Sequence, residues 1–229
     1  SNDEHPQAIS SHAERLEGLV TLAAELREKE SLAELEALLD EGGDPLELLE
    51  CFIKGMRLVG EYFEQGRYYI SGLIVAGEIV RLATEILEPH LASLEVESKH
   101  DGKVLLGTIQ GDIHDLGKNL FAILLKCHRF EVIDLGVDVP PNVFLEQARL
   151  HKPDIIGISC ILTNSITNLR LTIELLKTEL GENVPSVLIG GTCLDAHVSE
   201  LVGADHWGMD AVDGLRICQK LMGPAKNEL

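Results

Sequence analysis

No apolar run in this sequence approaches the roughly 20 residues a membrane-spanning helix needs. The nearest, residues 73–87, is interrupted by Glu78, Arg81 and Glu85. The start, Ser1 to Ser11, is polar and has no apolar core of the kind a secretory signal carries. Positive charge is scarce: 19 Lys and Arg stand against 38 Asp and Glu, a formal net charge of −19. Such a surface repels phosphate backbones and argues against a nucleic-acid partner. The five cysteines, Cys51, Cys127, Cys160, Cys193 and Cys218, form no C-x-x-C pair. An odd, dispersed set argues against a disulfide framework and points to the reducing cytoplasm, each thiol serving as a small buried residue. Several motifs are missing as well. H-E-x-x-H is absent, which removes the common zinc-hydrolase pattern, and no G-x-S-x-G elbow presents a nucleophile.

What remains is a chain of 229 residues, 45% hydrophobic and 25% charged, ordinary values for a folded protein of one or two domains. Its first part reads as successive helices. Leu16, Leu19, Val20 and Ala23 recur at helical spacing, and Leu32, Leu35, Leu38 and Leu39 make a second stripe. Asp44 before Pro45 is a helix-start signal, because the Asp oxygen can cap and Pro loses no hydrogen bond in the first turn. That third helix carries Leu49, Phe52, Ile53, Met56, Val59 and Phe63 and ends near Gly66; a fourth carries Leu73, Ala76, Val80, Ala83 and Leu87, with Pro89 near its end. The expected architecture of residues 1–92 is a helical bundle. Residues 93–102 are polar, without periodicity, and read as a linker. In residues 103–229, short apolar runs at 104–109, 132–134, 155–159 and 187–189, and a weaker one at 204–207, alternate with helical segments. Runs apolar on both faces predict a parallel sheet covered on both sides. The fold class is therefore α/β: a helical bundle followed by a doubly wound parallel sheet, flavodoxin-like or Rossmann-like.

In such sheets ligands bind beyond the carboxyl ends of the strands, where strand order reverses. In the flavodoxin order 2-1-3-4-5, the first and third strands are neighbours. Their loops read Gly111-Asp112-Ile113-His114-Asp115-Leu116-Gly117-Lys118-Asn119 and Ser159-Cys160-Ile161-Leu162-Thr163-Asn164-Ser165; the loop after the fourth is Gly190-Gly191-Thr192. Asp112 and His114, two residues apart on an extended segment, point to one side. The carboxylate can take the proton of one ring nitrogen and leave the other to ligate a metal. Gly117 leaves room for a bulky ligand near the backbone.

GDIHDLGKN, with Ser165 on the adjoining loop and the Gly-Gly pair beyond the fourth strand, resembles the signature of the cobalamin-binding domain shared by methionine synthase and the corrinoid proteins of methyltransferase systems. GRYYISGLIVAGEIVRLATEILEPHL resembles that family's helical cap. The resemblance implies a cobalamin (corrinoid, cobalt) cofactor bound with its own base displaced and His114 as the lower cobalt ligand. Asp112 is then the hydrogen-bond partner of His114, and Ser165 extends the relay. Ser159, Thr163, Gly190 and Gly191 belong to the slot for the displaced nucleotide tail, and Thr192, beside them, is a further cofactor-binding candidate. The upper corrin face would be shielded by the cap, with Tyr69, Leu73 and Ala76 as candidates, and the linker would let the cap move aside. The implied function is methyl transfer from a donor (methanol, a methylamine or a methoxylated aromatic) to an acceptor such as tetrahydrofolate or coenzyme M. It implies partner chains too: a donor-specific methyltransferase, an acceptor methyltransferase and a reductive activator. The chain would be one subunit of that system and not a complete enzyme.

Simpler roles compete at several positions. Asp115, a candidate for contact with the corrin, is expected to cap the following helix, and Lys118 to be a solvated charge. Among function classes, a cobalamin-dependent sensor is the alternative, although such sensors carry a basic output segment and nothing basic flanks this bundle. An FMN carrier would leave the Asp112–His114 pair without purpose, and a mutase subunit would need a separate barrel chain. NAD is disfavoured, because G-x-G-x-x-G is absent after the first strand.

Overall fold

A computed structural model describes residues 11–92 and 100–223. Residues 1–10, at the polar start, and 93–99, most of the expected linker, lie outside the described residues. The chain divides into two compact units, residues 1–90 and 91–229.

The first unit is helical. α1 (His12–Ala24) opens with a reciprocal cap: Ser11 Oγ accepts from the Glu14 N–H, and Glu14 accepts from the Ser11 N–H. α2 spans Glu28–Asp40, and α3 spans Pro45–Glu64. Asp44 caps α3 as expected, accepting from the Leu46 N–H at 3.0 Å. α1 and α3 cross closely at Gly55, where a Cβ would come within 2.7 Å of the Ala23 Cβ. Leu19, Leu35, Leu48, Leu49, Phe52 and Val59 fill the core beside that crossing. α4 (Ile70–Ala92) buries Ala76, Ile79, Val80, Ala83 and Leu87 at helical spacing, and Pro89 lies inside it. Among the described residues, no helix is long and apolar enough to cross a membrane.

The second unit is a five-stranded parallel sheet in the order β2-β1-β3-β4-β5. The strands are β1 (Gly102–Thr108), β2 (Phe130–Asp134), β3 (Ile155–Ser159), β4 (Ser186–Gly190) and β5 (His206–Gly208). β1, β2 and β4 begin one or two residues before the apolar runs do, because Gly102 and Lys103 pair with Phe130 and Glu131, and Ser186 with Ile155, through the backbone. α5 (Leu116–Cys127), α6 (Pro141–His151), α7 (Ile166–Leu180), α8 (Ala196–Val202) and α9 (Ala211–Met222) alternate with them. On one face Leu105, Ile156, Ile158, Val187 and Ile189 pack on Phe144 of α6 and on Leu169, Ile173 and Leu176 of α7. On the other, the Phe121 ring of α5 reaches Gly157 of β3 and Gly214 of α9, where a Cβ would stand 3.4 and 3.1 Å from it. Helices on both faces leave the carboxyl edge of the sheet, at the β1/β3 switch point, as the place for a ligand.

Candidate functional site

The backbone turns sharply after β1. The Asp112 N–H donates to the Ile109 carbonyl at 3.1 Å, and Gly111 takes a left-handed φ of 88°. A side chain at Gly111 would be strained by that φ and would approach Ser165 Oγ to 3.0 Å. Asp112, fully buried, then folds its carboxylate forward. Oδ1 accepts from the His114 N–H at 3.0 Å and lies 2.6 Å from the ring Nδ1. The two residues are brought together by this Asx-turn rather than by strand alternation. Oδ2 accepts from the Ile161 and Leu162 N–H groups at 2.6 and 3.0 Å. Burial opposes ionisation of Asp112, but those three backbone donors and the His114 ring outweigh it and hold the carboxyl at about 2. An ionised carboxylate only accepts, so Nδ1 carries a proton, and Nε2 is the ring nitrogen that points away from Asp112. The His114 side chain is 49% exposed. Its carbonyl accepts from Thr108 Oγ1 at 3.1 Å, so the residue is pinned on both sides.

Ser165 is buried beside this turn. The hydrogen bonds of the Asp112 carboxylate run to the His114 N–H and ring and to the Ile161 and Leu162 N–H groups. Asp115 stands at the N-cap of α5, yet its side chain makes no capping bond, and the helix begins without one. Lys118 is not a solvated charge. It is 4% exposed, and its ammonium donates to Asp134 at 2.8 Å and to Asn119 Oδ1 at 2.7 Å. The strand order places the end of β2 beside the start of α5, which is how the two charges meet.

Thr108, Ser159, Gly190 and Gly208 lie in register across the carboxyl ends of β1, β3, β4 and β5. At Gly190 a Cβ would meet nothing nearer than 3.9 Å, and at Gly117 nothing within 4 Å. Gly191 differs: with φ at 148°, a Cβ there would collide with the Cys160 carbonyl. Thr163 and Thr192 are exposed at the rim. Ile113, Val137 and Leu162 present apolar side chains to solvent around His114. Burial, then the neighbouring Cys193, pushes the Cys160 thiol up to about 12, in keeping with a small packing residue. In the helical unit Tyr69 is exposed, Leu73 half-buried and Ala76 part of the core. Sequence reasoning missed the Ile161 and Leu162 N–H pair, Asn168, whose amide donates to the Gln110 carbonyl at 3.0 Å, and Asp138. None of these has a local signal, since each acts through the backbone of a distant loop.

Two family models match the chain. Both are described as a B12 binding domain, one over residues 102–216 and the other over residues 15–88. The chain belongs to the B12-binding corrinoid proteins. It is 37% identical to trimethylamine corrinoid protein 1 of Methanosarcina acetivorans, over 78% of this chain and 83% of that one. A corrinoid protein of Desulfitobacterium hafniense is 31% identical over 96% of this chain and 97% of its own. Among solved structures, a cobalamin-binding protein of the same species superimposes with a TM-score of 0.59 and 34% identity, covering 91% of this chain and 98% of that one. The cofactor of this corrinoid protein is cobalamin, and the residues present suit it. His114 offers one ring nitrogen, a donor set for a metal whose other ligands come from a macrocycle. Gly117 and Gly190 leave open space beside their backbone.

Proposed function

We propose that this corrinoid protein binds cobalamin with the cofactor's own base displaced and His114 Nε2 on cobalt, and carries a methyl group between two partner methyltransferases. The observation that supports this most is the His114 ring itself, half exposed at the carboxyl edge with Nδ1 held by a buried carboxylate. When bound, cobalamin supplies the cobalt that accepts and gives up the methyl group. The chain's residues orient and hold it. Asp112 fixes the orientation of the ring. Ile113, Val137 and Leu162 offer apolar contact to the macrocycle, Asp115 and Thr192 polar contact at the rim. Ser159, Thr163, Gly190 and Gly191 line the slot for the displaced tail. Ser165 supports the Gly111 turn.

The 37% identity to a trimethylamine corrinoid protein favours a methylamine over methanol or a methoxylated aromatic as donor. Tetrahydrofolate or coenzyme M is the acceptor class. A reductive activator completes the system. The free thiols of Cys51, Cys160, Cys193 and Cys218 fit the cytoplasm.

The test is reconstitution with hydroxocobalamin, with ultraviolet-visible spectra of the wild type and His114→Ala. A bound cofactor whose spectrum the substitution changes is the expected result. Failure to bind would overturn the proposal; binding with an unchanged spectrum would overturn the ligation.

A further inference from the structure

The segment after β2 runs alongside β1 and beyond its end. The Leu135 N–H donates to the Leu106 carbonyl, Thr108 N–H to Gly136, and Val139 N–H to Thr108, at 2.7 to 2.9 Å. Its root is fastened by the buried Lys118, which grips Asp134, and by the Gly136 N–H on Asp134 Oδ1 at 2.9 Å. At its far end Asp138 meets the turn that carries His114. Asp138 Oδ1 accepts from the Gly111 N–H at 2.8 Å, and the Asp138 N–H donates to the Asp112 carbonyl at 3.0 Å. One residue thus holds the turn on both sides of the Gly111–Asp112 peptide. To do so Asp138 adopts a left-handed φ of 53°, a conformation Asp tolerates better than most residues.

We propose that Asp138 is a positioning residue for the metal ligand: it clamps the Gly111–Asp112 peptide so that the Asp112 carboxylate faces the His114 ring before cofactor arrives. The inference rests on His114 as the ligand. The Asp112 carboxylate reaches His114 only if the left-handed turn at Gly111 is kept. The Gly111 N–H points into Asp138 and, without that oxygen, has only water. Releasing it lets the turn sample other shapes, and ordering it again on binding costs affinity.

Two variants separate the carboxylate from the backbone. Asp138→Gly keeps the left-handed φ and removes the oxygen; Asp138→Asn keeps both. In the cofactor-free protein, amide exchange at Gly111 should rise about tenfold or more in Asp138→Gly, and the His114 Nδ1 proton should lose its hydrogen-bonded NMR shift. Cobalamin affinity should fall by about tenfold, the scale of lost support around a metal ligand. Asp138→Asn should restore all three. Unchanged Gly111 exchange in Asp138→Gly, a loosened turn with undiminished affinity, or no rescue by Asn would each overturn the clamp. Parallel measurements on His114→Ala keep the two ideas apart. If that variant binds cobalamin with an unaltered spectrum, the ligation fails, while exchange at Gly111 still reads the clamp by itself.

Discussion

The Asp112 carboxylate joins two loops that are about 50 residues apart in sequence. One oxygen lies 2.6 Å from His114 Nδ1, while the other accepts from the Ile161 and Leu162 N–H groups after β3. The group that orients the imidazole is therefore also the tie between the β1 and β3 loops. Its removal costs both stability and ligand geometry.

Asp112→Asn puts an amide NH2 against donors on one side or the other, whichever way it turns. The loss expected at neutral pH is about 2 kcal/mol, the stability carried by a carboxyl shifted from 3.8 to about 2. A depressed carboxyl stabilises the fold above its unfolded value and loses that effect as pH falls through the folded one. The gap in urea midpoint between the wild type and Asp112→Asn should thus narrow from about pH 4 towards pH 2. A gap that stays constant across that window would show that Asp112 is not held ionised by these contacts.

The Lys118–Asp134 pair is asymmetric, with side chains 3% and 33% exposed. Lys118→Met leaves Asp134 in reach of water and of the Gly136 N–H, and should cost about 1 kcal/mol. Asp134→Ala strands a buried ammonium on Asn119 alone and should cost about 3 kcal/mol. Thermal unfolding of the two variants checks the order. Equal losses would mean that the ammonium finds another outlet to water.

The adjacent glycines should separate by experiment. Gly191→Ala drives a methyl into the Cys160 carbonyl and should destabilise the fold outright. Gly190→Leu enters open space. Its thermal stability should stay within about 1 kcal/mol of the wild type. Cobalamin affinity should nevertheless drop by at least about tenfold, because the side chain fills the proposed slot. A Gly190→Leu variant that binds as the wild type does would move the nucleotide tail elsewhere.

Local signals made part of this legible. The Asp44-Pro45 start gave away the third helix because capping is settled within four residues. The Asp112–His114 pair could be read because its members are two residues apart, although an Asx-turn and not an extended strand brings them together. Lys118 was misjudged for the opposite reason. Its partner is 16 residues away on β2, and only the strand order makes them neighbours. Asp115 was placed correctly at the head of α5, but with φ at −123° and ψ at −12° its side chain makes no cap.

By itself, the sequence determined the helical first unit, the five strands of the parallel sheet, the ligand candidate and the small residues at the strand ends. Periodicity encodes the helices and strands, while the ligand candidate and the small residues at the strand ends came from the motifs and the family they resemble. Tertiary structure alone decided how the site is held. It gave the second oxygen of Asp112 to Ile161 and Leu162, buried Lys118, set Asp138 on a turn 27 residues away, and left Gly190 open while closing Gly191. Those outcomes depend on which backbone donors and carbonyls meet across the sheet, and the pattern of side chains along the chain carries no record of that.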